Sequence, residues 1–139
     1  YERLAAGAAN VRVVPLTVPA VALISAARVV ATINSTVAIE AMALDVPALA
    51  MRLPNYLSPF VDAGAMAGAT RPADVAAALD ALVHDEPART RLATARRRFI
   101  DEFAMQSDGR ASERAADAVL TLGMLASDAI GRTPARSGP

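Results

Sequence analysis

The sequence contains no cysteine, no lysine and a single histidine, at position 84. Without cysteine there is no disulfide framework, no thiolate nucleophile and no zinc knuckle. Without lysine there is neither Schiff-base chemistry nor a Walker A loop. One histidine leaves almost no material for a Ser-His-Asp triad or a histidine-rich metal site. Neither sign of charge prevails: 14 basic residues, all arginine, balance 14 acidic ones. The arginines are scattered apart from Arg96-Arg97-Arg98, so no nucleic-acid footprint is visible. Nor is there a long hydrophobic run. The most apolar stretch, Val13 to Ala27, lies between Arg12 and Arg28 and holds Pro15 and Pro19. It is shorter than the roughly 20 residues a bilayer span requires, and its prolines divide it into a strand end and a buried helix.

What is present is a globular balance. Of 139 residues, 54% are hydrophobic and 20% charged, enough for one domain with its own core. The chain opens Tyr1-Glu2-Arg3, with no basic-then-apolar leader. The expectation is a piece of a longer protein, cytoplasmic or peripheral at the inner membrane face.

Hydrophobic patterning predicts alternating strands and helices. Val11 to Val14 reads as a short β-branched strand stopped by Pro15. Pro19 to Ala27 reads as a helix with Thr17 as a cap. Val29 to Ile33 is a continuous apolar run, as a buried parallel strand requires. Thr36 to Leu44 follows as a helix with Ile39, Met42 and Ala43 on one face, and Ala48 to Met51 as a third strand. Ser58 caps a short helix with Pro59 in its first turn and Gly64 at its end. Met66 to Ala69 is a last short strand. Helices are predicted over Pro72 to Val83 (Val75, Leu79, Leu82 and Val83 inward), Glu86 to Phe103 (Leu92, Ala95, Phe99 and Phe103) and Arg110 to about Ala126 (Ala115, Val119, Leu122 and Leu125). Arg96-Arg97-Arg98 is expected to be a solvated helix face. The alternation implies an α/β fold, a partial Rossmann-like parallel sheet of three or four strands flanked by helices. A complete doubly wound domain has more strands, so residues 1–130 are expected to form a domain lacking its N-terminal strands. Residues 131–139 are expected to be a disordered tail.

The segment Val29 to Met51 carries the chemistry. A buried strand ends at Asn34, and Ser35 and Thr36 open a helix. In parallel α/β sheets ligands bind beyond the carboxyl ends of the strands. There a helix start offers unpaired N–H groups and a positive dipole end suited to a diphosphate. Ser35 and Thr36 add hydroxyl donors. Glu40, one turn after Thr36 on the same face, suits a ribose, whose two hydroxyls a carboxylate can accept. A plainer account fits the same residues: Ser and Thr are good N-caps anywhere, and an early glutamate favours the dipole. Spacing alone does not choose between them.

The pattern Ser35-Thr36-x-x-x-Glu40-Ala41-x-x-Leu44-x-x-Pro47 resembles the donor-site strand-turn-helix-strand of GT-B glycosyltransferases. It is also similar to UDP-N-acetylglucosamine 2-epimerases and CDP-glycerol glycerophosphotransferases. The resemblance implies that Asn34, Ser35 and Thr36 hold the donor diphosphate and Glu40 the ribose. Asp45 stands where these families usually carry glycine, at the helix C-cap, and is tolerable there as a left-handed residue. A weaker likeness lies in Asp108-Gly109-Arg110-Ala111-Ser112-Glu113-Arg114, similar to an Asp-Gly-x-Ala-Ser-x-Arg stretch of the CDP-glycerol-type enzymes. Asp108 would cap the last helix and Gly109 allow a tight turn, with or without ligand contact. Together the likeness covers Val11 to Leu122.

It further implies the C-terminal half of a GT-B architecture, binding a nucleotide-sugar or related activated donor without metal or other cofactor. The partner would be an N-terminal Rossmann-like domain of the same parent chain, which carries the acceptor and often the general base. Such enzymes serve surface polysaccharide or glycoconjugate synthesis, and UDP is a common donor nucleotide. The residues offer no convincing catalytic base, so this piece is not expected to be active alone. Half of an epimerase and a non-catalytic Rossmann-like interaction module are the alternatives; scarce histidine and cleft carboxylates weigh against the epimerase. Asn55 and Tyr56, in the loop after the third strand, face the same edge and could touch a sugar or base, though loop composition explains them equally well. Arg52, just before them, is a candidate phosphate contact or a surface pairing. His84 reads as a helix-closing residue favoured by the dipole.

Overall fold

A computed structural model describes residues 2–103 and 108–131. The expected tail at 131–139 lies, beyond Gly131, outside the described residues. The chain divides into two compact units, residues 1–104 and 105–139.

In the first unit the described elements are α1 (Glu2–Ala5), α2 (Ala20–Ala26), β1 (Val30–Thr32), α3 (Val37–Ala43), β2 (Ala48–Met51), α4 (Ser58–Asp62), β3 (Ala67–Ala69), α5 (Pro72–His84) and α6 (Glu86–Glu102). The strands form a three-stranded sheet in the order β1-β2-β3. Both pairings are parallel, with Ala31 opposite Leu49 and Leu49 opposite Ala67. The molecule is therefore α/β, with a parallel sheet flanked by helices.

Strand alternation sends successive side chains to opposite faces. Leu49 and Met51 of β2 and Ala67 and Ala69 of β3 belong to a core with Val75, Leu79 and Leu82 of α5 and Leu92 of α6. The alternate residues Ala48 and Ala50 are fully buried, and α3 packs on β1 and β2. Ala38, Ala41 and Met42 of α3 are fully buried too; small residues allow that close approach. In β3 the small residue is Gly68. A Cβ there would lie 2.6 Å from Val61 Cγ1 and 2.7 Å from Leu53 Cδ1, so any larger residue requires those two side chains to shift.

Two helices end in Schellman turns. At α4, Gly64 has φ 71°, and the N–H groups of Gly64 and Ala65 bond the carbonyls of Val61 and Phe60. At α3, Asp45 has φ 58°. The N–H groups of Asp45 and Val46 bond the carbonyls of Met42 and Ala41 at 3.1 and 2.8 Å. Asp45 thus occupies the left-handed position that glycine normally fills.

Several expectations are corrected. Val11–Val14 forms no strand; these residues are exposed and irregular, for an isolated β-branched run gains no ladder hydrogen bonds without a partner strand. Pro19, not Thr17, precedes α2 as its cap residue. Leu57 occupies the cap position of α4, and the Ser58 hydroxyl instead accepts a 3.0 Å bond from the Asn55 N–H. Phe103 stacks on Phe99 at a centroid separation of 4.4 Å yet stays exposed.

In the second unit α7 runs Ala111–Gly131. Gly109, φ 74°, makes the expected tight turn before it. Asp108 accepts from the Arg110 N–H at 2.9 Å and pairs with Arg114 at 2.7 Å. The Arg114 guanidinium, hydrogen-bonding first, holds the Asp108 carboxyl below its ordinary value. Val119, Leu122 and Leu125, expected inward, are exposed. No helix among the described residues is long and apolar enough to cross a membrane.

Candidate functional site at the carboxyl edge of the sheet

The carboxyl ends of β1 and β2 are tied together by one side chain. Asn55, in the loop after β2, donates from Nδ2 to the Ile33 carbonyl at 2.8 Å and the Met51 carbonyl at 3.1 Å. Its Oδ1 accepts from the Leu57 N–H at 2.8 Å. Ile33 follows β1 and Met51 ends β2, so the carboxamide fixes the separation of the two strand ends. Asn55, read from sequence as a possible ligand contact, is committed to the backbone and shapes the edge.

Within that frame the turn from β1 to α3 presents Asn34 exposed, Ser35 half-buried and Thr36 exposed. The Ser35 hydroxyl accepts from the Val37 N–H at 3.3 Å. Thr36, at the cap position, makes no side-chain capping bond. Its hydroxyl is therefore not spent on capping the start of the helix. Glu40 lies exposed one turn on, and no ion pair engages it among the described residues.

Arg52 stands at the end of β2 in the same frame. It is exposed, with φ 57°, a conformation that costs a non-glycine residue about 1 kcal/mol. No carboxylate pairs with it among the described residues. Tyr56 is exposed beside Asn55. The edge thus gathers hydroxyl donors, one unpaired cation and one unpaired carboxylate. Asp108 and Gly109, read from sequence as possible cleft residues, belong to the second unit. His84 closes α5 on the surface, 3.9 Å from Asp80. No group of three or more histidine, cysteine, aspartate or glutamate residues placed to hold a metal occurs among the described residues.

The pairing that sequence reasoning missed lies at the opposite edge. Arg96 is only 2% exposed, not part of a solvated face. Its Nε donates to Asp45 Oδ1 at 3.1 Å and its Nη2 to the Asp45 carbonyl at 3.1 Å, with a further bond from Nη2 to Oδ1. Arg97 adds a contact to Oδ2 at 3.3 Å. Hydrogen bonding from Arg96 holds the Asp45 carboxyl below its ordinary value. The signal was present: Leu92, Arg96 and Phe99 fall at i, i+4 and i+7, one inward stripe, and an aspartate replaces the glycine a left-handed cap favours.

Comparison with known proteins finds no matching family model, no matching curated protein and no matching solved structure.

Proposed function

We propose that this chain is the donor-binding part of a GT-B-type glycosyltransferase-like enzyme, holding a nucleotide-activated sugar or polyol phosphate at the carboxyl edge of its sheet. One observation carries the reading: unspent Thr36, half-buried Ser35 and unpaired Arg52 share that edge, with Glu40 one helical turn away. Ser35, Thr36, the neighbouring amides and Arg52 take the diphosphate, and Glu40 takes the ribose. Their catalytic contribution is electrostatic, stabilising charge that grows on the leaving diphosphate without a metal. The acceptor and the general base come from an N-terminal Rossmann-like domain. The free edge of β1 and the exposed Val11, Val13, Val14, Val21 and Leu23 give that domain and further strands an apolar surface to cover. Donors of this kind serve polysaccharide synthesis on the cytoplasmic side of a membrane.

Calorimetric titration with UDP, CDP and GDP in the presence of a chelator tests the proposal. Saturable binding of one nucleotide in preference supports it. Binding that appears only with added divalent metal would remove the metal-free donor site, and its absence from both the folded chain and any longer protein containing it would remove nucleotide binding altogether. Among binders, product analysis separates transferase from the 2-epimerase alternative.

A further inference from the structure

The ladder between β1 and β2 stops one residue short of the segments that the donor-site reading invokes. Its last register pair is Thr32 with Ala50. Ile33 and Met51 are next in register, and their carbonyls are held by Asn55 Nδ2 at 2.8 and 3.1 Å. The carboxamide thus continues the ladder where the two backbones no longer bond each other. Ile33 directly precedes Asn34, Ser35 and Thr36, and Met51 directly precedes Arg52. The Arg52 carbonyl also lies 3.5 Å from the same nitrogen.

Asn55 is itself fixed from the core side. Its Oδ1 accepts from the Leu57 N–H at 2.8 Å, and its own N–H donates to the Ser58 hydroxyl at 3.0 Å. Leu57 is fully buried, which anchors that end of the clamp. A carboxamide has two N–H donors, and the Ile33 and Met51 carbonyls take both. None is left to offer a ligand, so Asn55 acts through the segments it joins. A binding site whose parts are already in place loses less freedom when its ligand arrives.

We propose that Asn55 is the positioning residue of the donor site, presetting the gap between the Asn34–Thr36 turn and Arg52 before a nucleotide enters. The proposal rests on the donor-site reading and adds to it a residue that governs affinity without touching ligand. The test is calorimetric titration of the folded chain with UDP, CDP and GDP, repeated on Asn55→Ala and Asn55→Asp. Aspartate keeps the shape and the acceptor for the Leu57 N–H, but its carboxylate has no donor for the two carbonyls. Both variants are expected to bind the nucleotide preferred by wild type about tenfold more weakly. Their ligand-free NMR spectra should show shifted amides at Asn34 to Thr36 and at Arg52. Leu79→Ala, which loosens the core under α5, lowers stability yet keeps wild-type affinity, and so separates positioning from a general loss of stability. Should Asn55→Ala fail to fold, Asn55→Asp decides. Wild type adds a readout that needs no variant: its Asn55 Nδ2 protons exchange slowly with solvent before any nucleotide is added. A wild-type chain that binds none of the three nucleotides overturns the donor-site reading and this proposal with it. Nucleotide binding that Asn55→Asp leaves unchanged, or Nδ2 protons protected only after nucleotide is added, overturns this proposal alone.

Discussion

Replacing Asp45 with glycine sets two local effects against each other. Glycine occupies φ 58° freely, so the substitution relieves backbone strain of about 1 kcal/mol. It also removes the carboxylate that takes two donors of Arg96, a side chain 2% exposed, and one of Arg97. Leaving a buried charge without its partner typically costs about 3–5 kcal/mol. The lower end applies here, because the Asp45 side chain is 54% exposed and solvent screens it, and because the residue 45 carbonyl still accepts from Arg96 Nη2. The balance is a net destabilisation of about 2 kcal/mol. Asp45→Asn, which keeps an acceptor and tolerates the left-handed region, costs about 1 kcal/mol. Urea unfolding of wild type and both variants at neutral pH reads these differences directly. The pH dependence carries the same signature. The folded Asp45 carboxyl titrates below its ordinary value of 3.8, so its contribution is complete above that value and disappears as pH falls through the lower folded-state value. The gap between wild type and Asp45→Asn therefore closes only in strong acid. A glycine variant as stable as wild type, or more so, would refute the reasoning: backbone relief would then outweigh the clamp.

Three further outcomes follow from named contacts. Gly68→Ala drives a methyl group against Val61 and Leu53 and lowers unfolding free energy by about 1–3 kcal/mol, measurable by the same denaturation. Arg52→Gly stabilises the fold by up to about 1 kcal/mol through relief at φ 57° while weakening nucleotide affinity; calorimetry showing unchanged affinity would remove Arg52 from the donor site. Glu40→Ala weakens nucleotide binding by about 1–3 kcal/mol through two lost ribose hydrogen bonds, and unchanged affinity in the same titration would remove Glu40 from the ribose position.

Features encoded over a few residues were legible before the structure. The apolar run Ala48–Met51 is β2, residue for residue. Gly64 and Asp45 take the left-handed positions anticipated for helix caps, since cap chemistry is local. Val11–Val14 misled for a related reason: β-propensity describes fit to a partnered surface, and no neighbouring strand supplies one. The largest misreadings concern pairings that span the chain. Arg96 meets Asp45 across 51 residues, and Asn55 meets Ile33 across 22. A triple-arginine run reads as surface until a carboxylate is placed opposite it, and a loop asparagine reads as available until two strand ends claim its amide. At the carboxyl edge of the sheet the residue types and the turn were legible, whereas the absence of a capping bond from the Thr36 hydroxyl and of a carboxylate paired with Arg52 among the described residues needed the three-dimensional arrangement.

The central claim is that the turn joining β1 to α3 receives a nucleotide diphosphate. Its most direct test is an NMR titration of the chain with UDP, CDP and GDP, following the backbone amides of Asn34 to Glu40. Saturable shifts confined to those amides and to Arg52, with one base preferred, are the predicted result. A chain shown to be folded whose amides at 34–40 stay still for all three nucleotides, alone and within any longer protein that contains it, would contradict the claim.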